Sequence, residues 1–275
     1  MYIFRSNTLQ DGIRTSTVDI IHDTKMYLPA DHAEYDVPTL HNFIKENPLG
    51  IIVTSLPSPN FPAVQLSHVP WVLDIPDDGN GLGKLRGHMA KMNPHSKAII
   101  ESVRATNPSN GSLTEDVVIV FNGPVHHYVT PKFYIKTKPS TGKVVPTWDY
   151  TAVQAYGRAT VYCDSRNPET GAFLQQQVTA LSNYAETDIM GYTGEKGKPS
   201  AWETSDAPDR FIELLKKNII GVEIEITRLE GRFKMSQEMD KEDQIGVVQG
   251  FRALNTEVGL KMSETVRQRC VVAQK

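Results

Sequence analysis

The hydrophobic positions of this chain alternate over long stretches, and between those stretches they recur at helical spacing. From Thr147 to Val161, the residues Val153, Ala155, Gly157, Ala159 and Val161 point one way and Gln154, Tyr156, Arg158 and Thr160 the other. That is the period of two of a half-buried strand. Its small-residue face and central glycine predict a strand that curves through Gly157, as barrel strands do. Ile219 to Leu229 repeats the pattern, with Ile220, Val222, Ile224 and Ile226 inward, Glu223 and Glu225 outward, and Gly231 allowing a turn into Phe233 to Gln237. Shorter β-rich runs lie at Ile51–Leu56 and Val117–Phe121, and Ala63 to Leu73 alternates as the hairpin partner of the first. Another strand begins after Gly123-Pro124, and one more leaves the glycine-rich tip at Asp77–Gly83 and carries Arg86.

Helices are expected where the period changes. Asp36 stands at an N-cap position before Pro38, with Leu40, Phe43 and Ile44 on one face and Asn47-Pro48 as the stop. Asn93-Pro94 opens a second helix to about residue 104, with Ile99, Ile100 and Val103 at helical spacing. Glu169 to Ala185 forms a third and Pro208 to Asn218 a short fourth, separated by a long surface loop that docks through Trp202. Many antiparallel strands with interposed helices and no regular βαβ alternation predict a β-rich α+β fold, a barrel decorated with helices. There is no internal repeat and no clear linker.

Composition narrows the function classes. Hydrophobic residues make up 39% and charged residues 22% of 275, an ordinary globular balance with enough apolar material for a sizeable core. The formal net charge of −3 provides no global attraction to DNA or to an anionic membrane. Cys163 and Cys270 are far apart and follow no zinc spacing, which points to a reducing, cytoplasmic setting and no metal. No run of signal-peptide or bilayer-spanning length occurs. His126-His127 are adjacent strand residues on opposite faces and share a small ion poorly. No Gly-x-Ser-x-Gly elbow and no basic recognition helix is present.

The candidate chemistry lies in two stretches. Lys84 to Pro94 brings Arg86, His88, Lys91 and the Asn93 cap together where a strand hands over to a helix, a place that suits an anion such as phosphate. The same residues also suit an ordinary turn with solvated basic side chains. The second stretch is Gly142-Lys-Val-Val-Pro-Thr-Trp148, which also reads as a tight barrel corner with Trp148 in the core.

The wording Leu85-Arg-Gly-His-Met-Ala90, Asn93-Pro94, Gly123-Pro124, Thr137-Lys-Pro139, Gly142 to Trp148, Tyr156-Gly-Arg-Ala159, Gly221 to Ile226, Leu229-Glu-Gly231 and Lys234-Met-Ser-Gln237 resembles the PaiB family of FMN-binding-like split-barrel proteins. The resemblance runs from about Met26 to Leu254. It implies a split β-barrel, with residues 1–25 as an N-terminal extension dispensable for folding, 26–255 as the barrel domain with helical insertions, and 256–275 as a C-terminal tail. Val18 to Ile21 could add an edge strand. The resemblance further implies a homodimer holding FMN between subunits. Arg86, His88, Lys91 and Asn93 would then lie on the phosphate side, Ser67 and His68 would line the same pocket, and Lys143, Thr147 and Trp148 would form the other wall. His68 also reads as a satisfied core histidine, the reading favoured from sequence. Two departures bear on the cofactor: Glu238 follows Lys234-Met-Ser-Gln237 where the family continues with Asn, and the Pro131 to Tyr134 loop lacks the usual Ser-Trp pair. The family is named for a negative regulator of protease synthesis and sporulation. Three readings follow from the resemblance: a flavin-binding protein or flavin-dependent oxidoreductase, a regulator acting through DNA or a protein partner, and a haem-binding split barrel.

Overall fold

A computed structural model describes residues 26–76, 79, 81–107 and 109–270; the proposed N-terminal extension and its Val18–Ile21 strand lie outside the described residues. In chain order the elements are β1 (Ala33–Glu34), α1 (Val37–Glu46), β2 (Leu49–Ser55), β3 (Val64–Pro70), β4 (Val72–Asp74) and β5 (Lys84–Ala90). Next come α2 (Pro94–Thr106), β6 (Val117–Asn122), β7 (His127–Val129), α3 (Thr137–Thr141), β8 (Thr147–Tyr162) and α4 (Pro168–Tyr184). The remainder is α5 (Asp209–Lys216), β9 (Ile219–Lys234), α6 (Lys241–Ala253) and α7 (Glu257–Arg269). The start signals act as expected: the Asp36 carboxylate accepts from the Thr39 backbone N–H at 3.0 Å, and Asn93 does the same for His95 at 3.0 Å.

The strands form one curled antiparallel sheet in the order β3-β2-β6-β8-β9-β5-β4, with β1 on β9 and β7 on β8. The stretch expected as a single strand over residues 63–73 breaks at Pro70-Trp71. Its first half pairs with β2 and its second half with β5, so one continuous segment borders both free edges of the sheet. The barrel is therefore bridged by a bend of the chain and stays split between β3 and β4. Leu85, Met89, Ile119, Val153, Ala155, Ala159, Ile220 and Ile224 fill its interior. The bend in β8 falls at Tyr156/Gly157, where a Cβ on Gly157 would sit 2.0 Å from the Glu225 carbonyl oxygen.

Two sequence expectations change. β9 does not turn at Gly231 but continues to Lys234, because the missing side chain there makes room for Leu40 of α1, whose Cδ2 would lie 2.4 Å from a Cβ. Residues 257–269, expected as a tail, form α7, which packs with α6 in a second core of Val129, Tyr134, Met235, Val247, Phe251, Met262, Val266 and Cys270. The spacings Val247/Phe251 and Met262/Val266 were the readable signal for this helix pair. α4 lies over the outer face of β5 and β9, whereas the outer face of β3, β2 and β6 carries no helix among the described residues. No helix among the described residues is long and apolar enough to cross a membrane.

Candidate functional site

At the β5 to α2 junction the chain builds a brace. Asn93 Nδ2 donates to Ser67 Oγ at 3.1 Å, Ser67 Oγ is 3.0 Å from His95 Nδ1, and His95 Nε2 is 2.9 Å from Thr54 Oγ1. His95 is fully buried, and burial pushes its pKa down to about 4, so the ring is neutral and ties β2, β3 and α2 together. Ser67 and Asn93 are thus brought together as expected. The two residues that complete the brace, His95 and Thr54, were not singled out from sequence, although His95 immediately follows the Asn93-Pro94 helix start. His68 points the other way and is exposed on the outer sheet face.

Arg86 and His88 share the face of β5 that looks outward, beneath α4. The Arg86 fork is engaged by Asp74 of β4: Nε pairs with Oδ2, and Nη2 donates to Oδ1 at 2.8 Å. Nη1 reaches Gln177 Oε1 at 3.5 Å, while Gln177 Nε2 donates to the Arg86 carbonyl at 3.2 Å. Only 6% of Arg86 is exposed, so this guanidinium pins α4 and β4 to β5. His88 borders an apolar cavity, and burial lowers its pKa, which keeps the ring neutral at neutral pH. Lys91 lies at the edge of this region, its Nζ 3.4 Å from the Lys217 carbonyl oxygen.

Lys143, Thr147 and Trp148 lie elsewhere. His88 pairs with Gly221 of β9, whereas Thr147 Oγ1 accepts from Lys234, thirteen residues further along that strand, at 2.8 Å. The separation is roughly 40 Å of strand at the usual rise per residue. The two expected walls therefore do not meet within one chain. At the far end Trp148 and Tyr128 are cross-strand partners with rings 6.4 Å apart, and Trp148 Nε1 donates to His126 Nδ1 at 3.2 Å. Trp148 is 49% and Tyr128 42% exposed, so the indole is a surface platform and not a core residue. Lys143 is exposed, five residues before Trp148 in the chain. On the same face, Tyr150 follows Trp148, and Arg232 of β9 lies opposite Ala152, roughly 13 Å along the strand from Trp148. Arg232 Nε is buried with no hydrogen-bond partner among the described residues, while its Nη1 donates to the Tyr27 carbonyl at 3.2 Å and its guanidinium lies over the Tyr27 and Tyr150 rings.

Behind the platform is a charged network. Asp149 is fully buried, accepts from Ser236 Oγ at 2.7 Å, and lies 3.4 Å from Lys234 Nζ. Lys234 also reaches Glu238 at 3.5 Å, and Glu238 meets His32 Nε2 at 2.9 Å. Glu238, the departure from the family wording, is thereby balanced by local partners. Burial pushes the Asp149 carboxyl up to about 6 despite the Ser236 hydrogen bond and the Lys234 charge. Ser236 holds φ at 61°, in the left-handed region, to make its contact.

The family model described as "Putative FMN-binding domain" matches residues 26–228. An uncharacterized protein of Aspergillus fumigatus is 57% identical over 255 residues, covering 89% of this chain and 97% of the relative. The protease synthase and sporulation protein PAI 2 of Bacillus subtilis is 22% identical over 244 residues, covering 89% of this chain and 98% of that protein. Among solved structures, a conserved hypothetical protein of Mycobacterium tuberculosis aligns at 12% identity with a TM-score of 0.44, covering 78% of this chain and 94% of that chain.

Proposed function

From the premise that this chain belongs to the family of FMN-binding domains, we propose that it binds a flavin against the Trp148 platform. In this reading the isoalloxazine stacks on Trp148 and Tyr128, and Lys143 and Arg232 take the anionic end. The observation that carries the reading is the exposed aromatic pair Trp148 and Tyr128 on the same sheet face as the Arg232 guanidinium. Flavin needs both kinds of group, a flat apolar surface for its ring and a charged donor for its phosphate, and the residues present fit it.

When bound, a flavin supplies one- or two-electron redox chemistry, and the activity class that follows is a flavin-dependent oxidoreductase. The chain itself orients the platform. His126 accepts the indole N–H and fixes the Trp148 ring, while Lys234 holds Thr147 and so the start of β8. A second copy pairing over the bare outer face of the sheet would cover the platform and exclude water from it. Ile51 and Val53 of β2, Val64 and Leu66 of β3, and Val118 and Val120 of β6 form a contiguous apolar surface there by cross-strand register. Val64 is 65% and Leu66 59% exposed, an arrangement that favours burial against a partner.

The test is an absorption spectrum of the purified protein, followed by FMN titration of wild type, Trp148→Ala and Lys143→Ala. Loss of the stacking partner should weaken FMN binding by a few-fold to about tenfold, and loss of a charge-assisted contact by roughly ten- to a hundredfold. Unchanged affinity in both variants would refute the site. A Soret band in place of a flavin spectrum would favour the haem reading, and salt-sensitive DNA retardation without flavin binding the regulator reading.

A further inference from the structure

Between β5 and β9 on one side and α4 and α5 on the other lies a cavity of about 460 Å³, in the range that small-molecule sites occupy. Val178 and Leu181 of α4, Ile212 and Leu215 of α5, and Trp202 line it, and His88 of β5 borders it. No acidic residue lines it. Its one cation, Lys216, is already engaged, with Nζ donating to Gln175 Oε1 at 2.9 Å and paired with Glu213. A charged ligand would therefore meet no unpaired counter-charge in a largely apolar space, at a desolvation cost that nothing offsets.

Ser182, Thr204 and Asn218 also lie on the lining, with Thr204 paired to Thr179 and Asn218 donating to the Leu214 carbonyl, and His88 is the polar group that the β5 wall supplies. Its Nδ1 is buried with no hydrogen-bond partner among the described residues, so Nε2 is the ring nitrogen that a ligand in the cavity can meet. A ring nitrogen on an apolar wall with no protein partner is a place for a ligand's donor or acceptor. The rim is unfinished in a matching way. Trp202 remains 41% and Leu215 46% exposed, and no residue of α5 is fully buried, although Phe211 and Leu214 add further exposed apolar surface on that helix. A ligand filling the cavity would cover the lining residues and give α5 the apolar packing it lacks.

We propose that this cavity is a binding site, separate from the Trp148 platform, for a neutral apolar molecule carrying one hydroxyl or carbonyl group that bonds to His88. The site does not depend on the flavin reading, because it stands at the opposite end of β9 and uses none of the platform residues.

Calorimetric titration of the full chain with 2-naphthol and with 2-naphthoate tests the proposal, since the two probes share a ring system and differ in charge. The neutral probe should bind at least tenfold more tightly than the carboxylate. Leu181→Arg, which puts a charge into the wall, should abolish naphthol binding. His88→Leu should weaken it by a few-fold to about tenfold, the value of one hydrogen bond, with an unchanged melting temperature. Leu215→Lys, at an exposed rim position, serves as a second wall variant should Leu181→Arg fail to fold, and it should weaken naphthol binding at least fivefold. Absence of naphthol binding at millimolar concentration, equal binding of the two probes, or binding untouched by the folded wall variants overturns the proposal. Competitive displacement of naphthol by FMN also overturns it, because the cavity would then be the flavin site. Naphthol binding with no FMN binding leaves this site standing and removes the flavin reading.

Discussion

Arg86 shows how one residue can carry anion-binding chemistry and be occupied by the protein itself. Its fork meets Asp74 across the β4/β5 ladder and Gln177 from α4, ninety-one residues away in sequence. Arg86→Ala should therefore act on stability more than on flavin binding. Asp74 is 42% exposed in its side chain and can rehydrate, so the cost is below that of a fully buried pair, about 2 kcal/mol. Calorimetry should show a melting temperature lower by roughly 4–8 °C, with FMN affinity within twofold of wild type. Asp149 makes a pH prediction. Its folded pKa, about 6, lies above the ordinary carboxylate value, so the folded state binds the extra proton between about pH 4 and 6. Stability from this group is present at the acid end of that window and is lost as the pH rises through 6. Asp149→Asn should flatten that slope, gaining up to roughly 2–3 kcal/mol relative to wild type between pH 4 and 7 in denaturant titrations. An unchanged slope would mean that Asp149 titrates normally.

At the level of elements, the C-terminal helices are the part whose importance the chain's patterning understates. α7 buries Met262 and Val266 completely against α6 and places Cys270 behind Met235, the residue that follows β9. Burial of two such side chains contributes roughly 3–6 kcal/mol, before counting the surface of α6 that α7 covers. Truncation after Asn255 should lower the melting temperature by more than 10 °C or leave the chain insoluble, as read by thermal denaturation of the soluble fraction. A truncated chain that melts like the full one would make α7 a passive appendage. β9 illustrates the same point, since its continuation through Gly231 depends on Leu40 of a distant helix filling the glycine's space.

For the whole molecule, the outstanding asymmetry is that α4 covers one half of the barrel's outer surface while, among the described residues, no helix covers the apolar β3-β2-β6 half. Pairing of two copies over that half would bury Val64 and Leu66 and cover the free edge of β3. Leu66→Arg should convert a sedimenting dimer to monomer at micromolar concentration without unfolding it, because the position is exposed in the single chain. Monomeric wild type under the same conditions would remove the dimer from the account of the flavin platform.

Strand faces, the helix caps at Asp36 and Asn93 and the general β-rich architecture were legible in the residues alone. Period and capping are local properties that need only neighbours within a few positions. The inward set of β8 and β9 is buried as the alternation demands. The site was legible only in part. Sequence proximity put Arg86, His88, Lys91 and Asn93 in one cluster, but the structure gives Arg86 to an ion pair with Asp74, leaves His88 on the cavity wall, sets Lys91 by the Lys217 carbonyl and ties Asn93 into the helix brace. Thr147 and Trp148 proved to be at the other end of a sixteen-residue strand, with Lys234 and Asp149 as companions. Which partner occupies a charged side chain, and which glycine lets a strand run on, depends on long-range packing that residue spacing does not encode. Those choices were made only when the sheet curled and the helices closed over it.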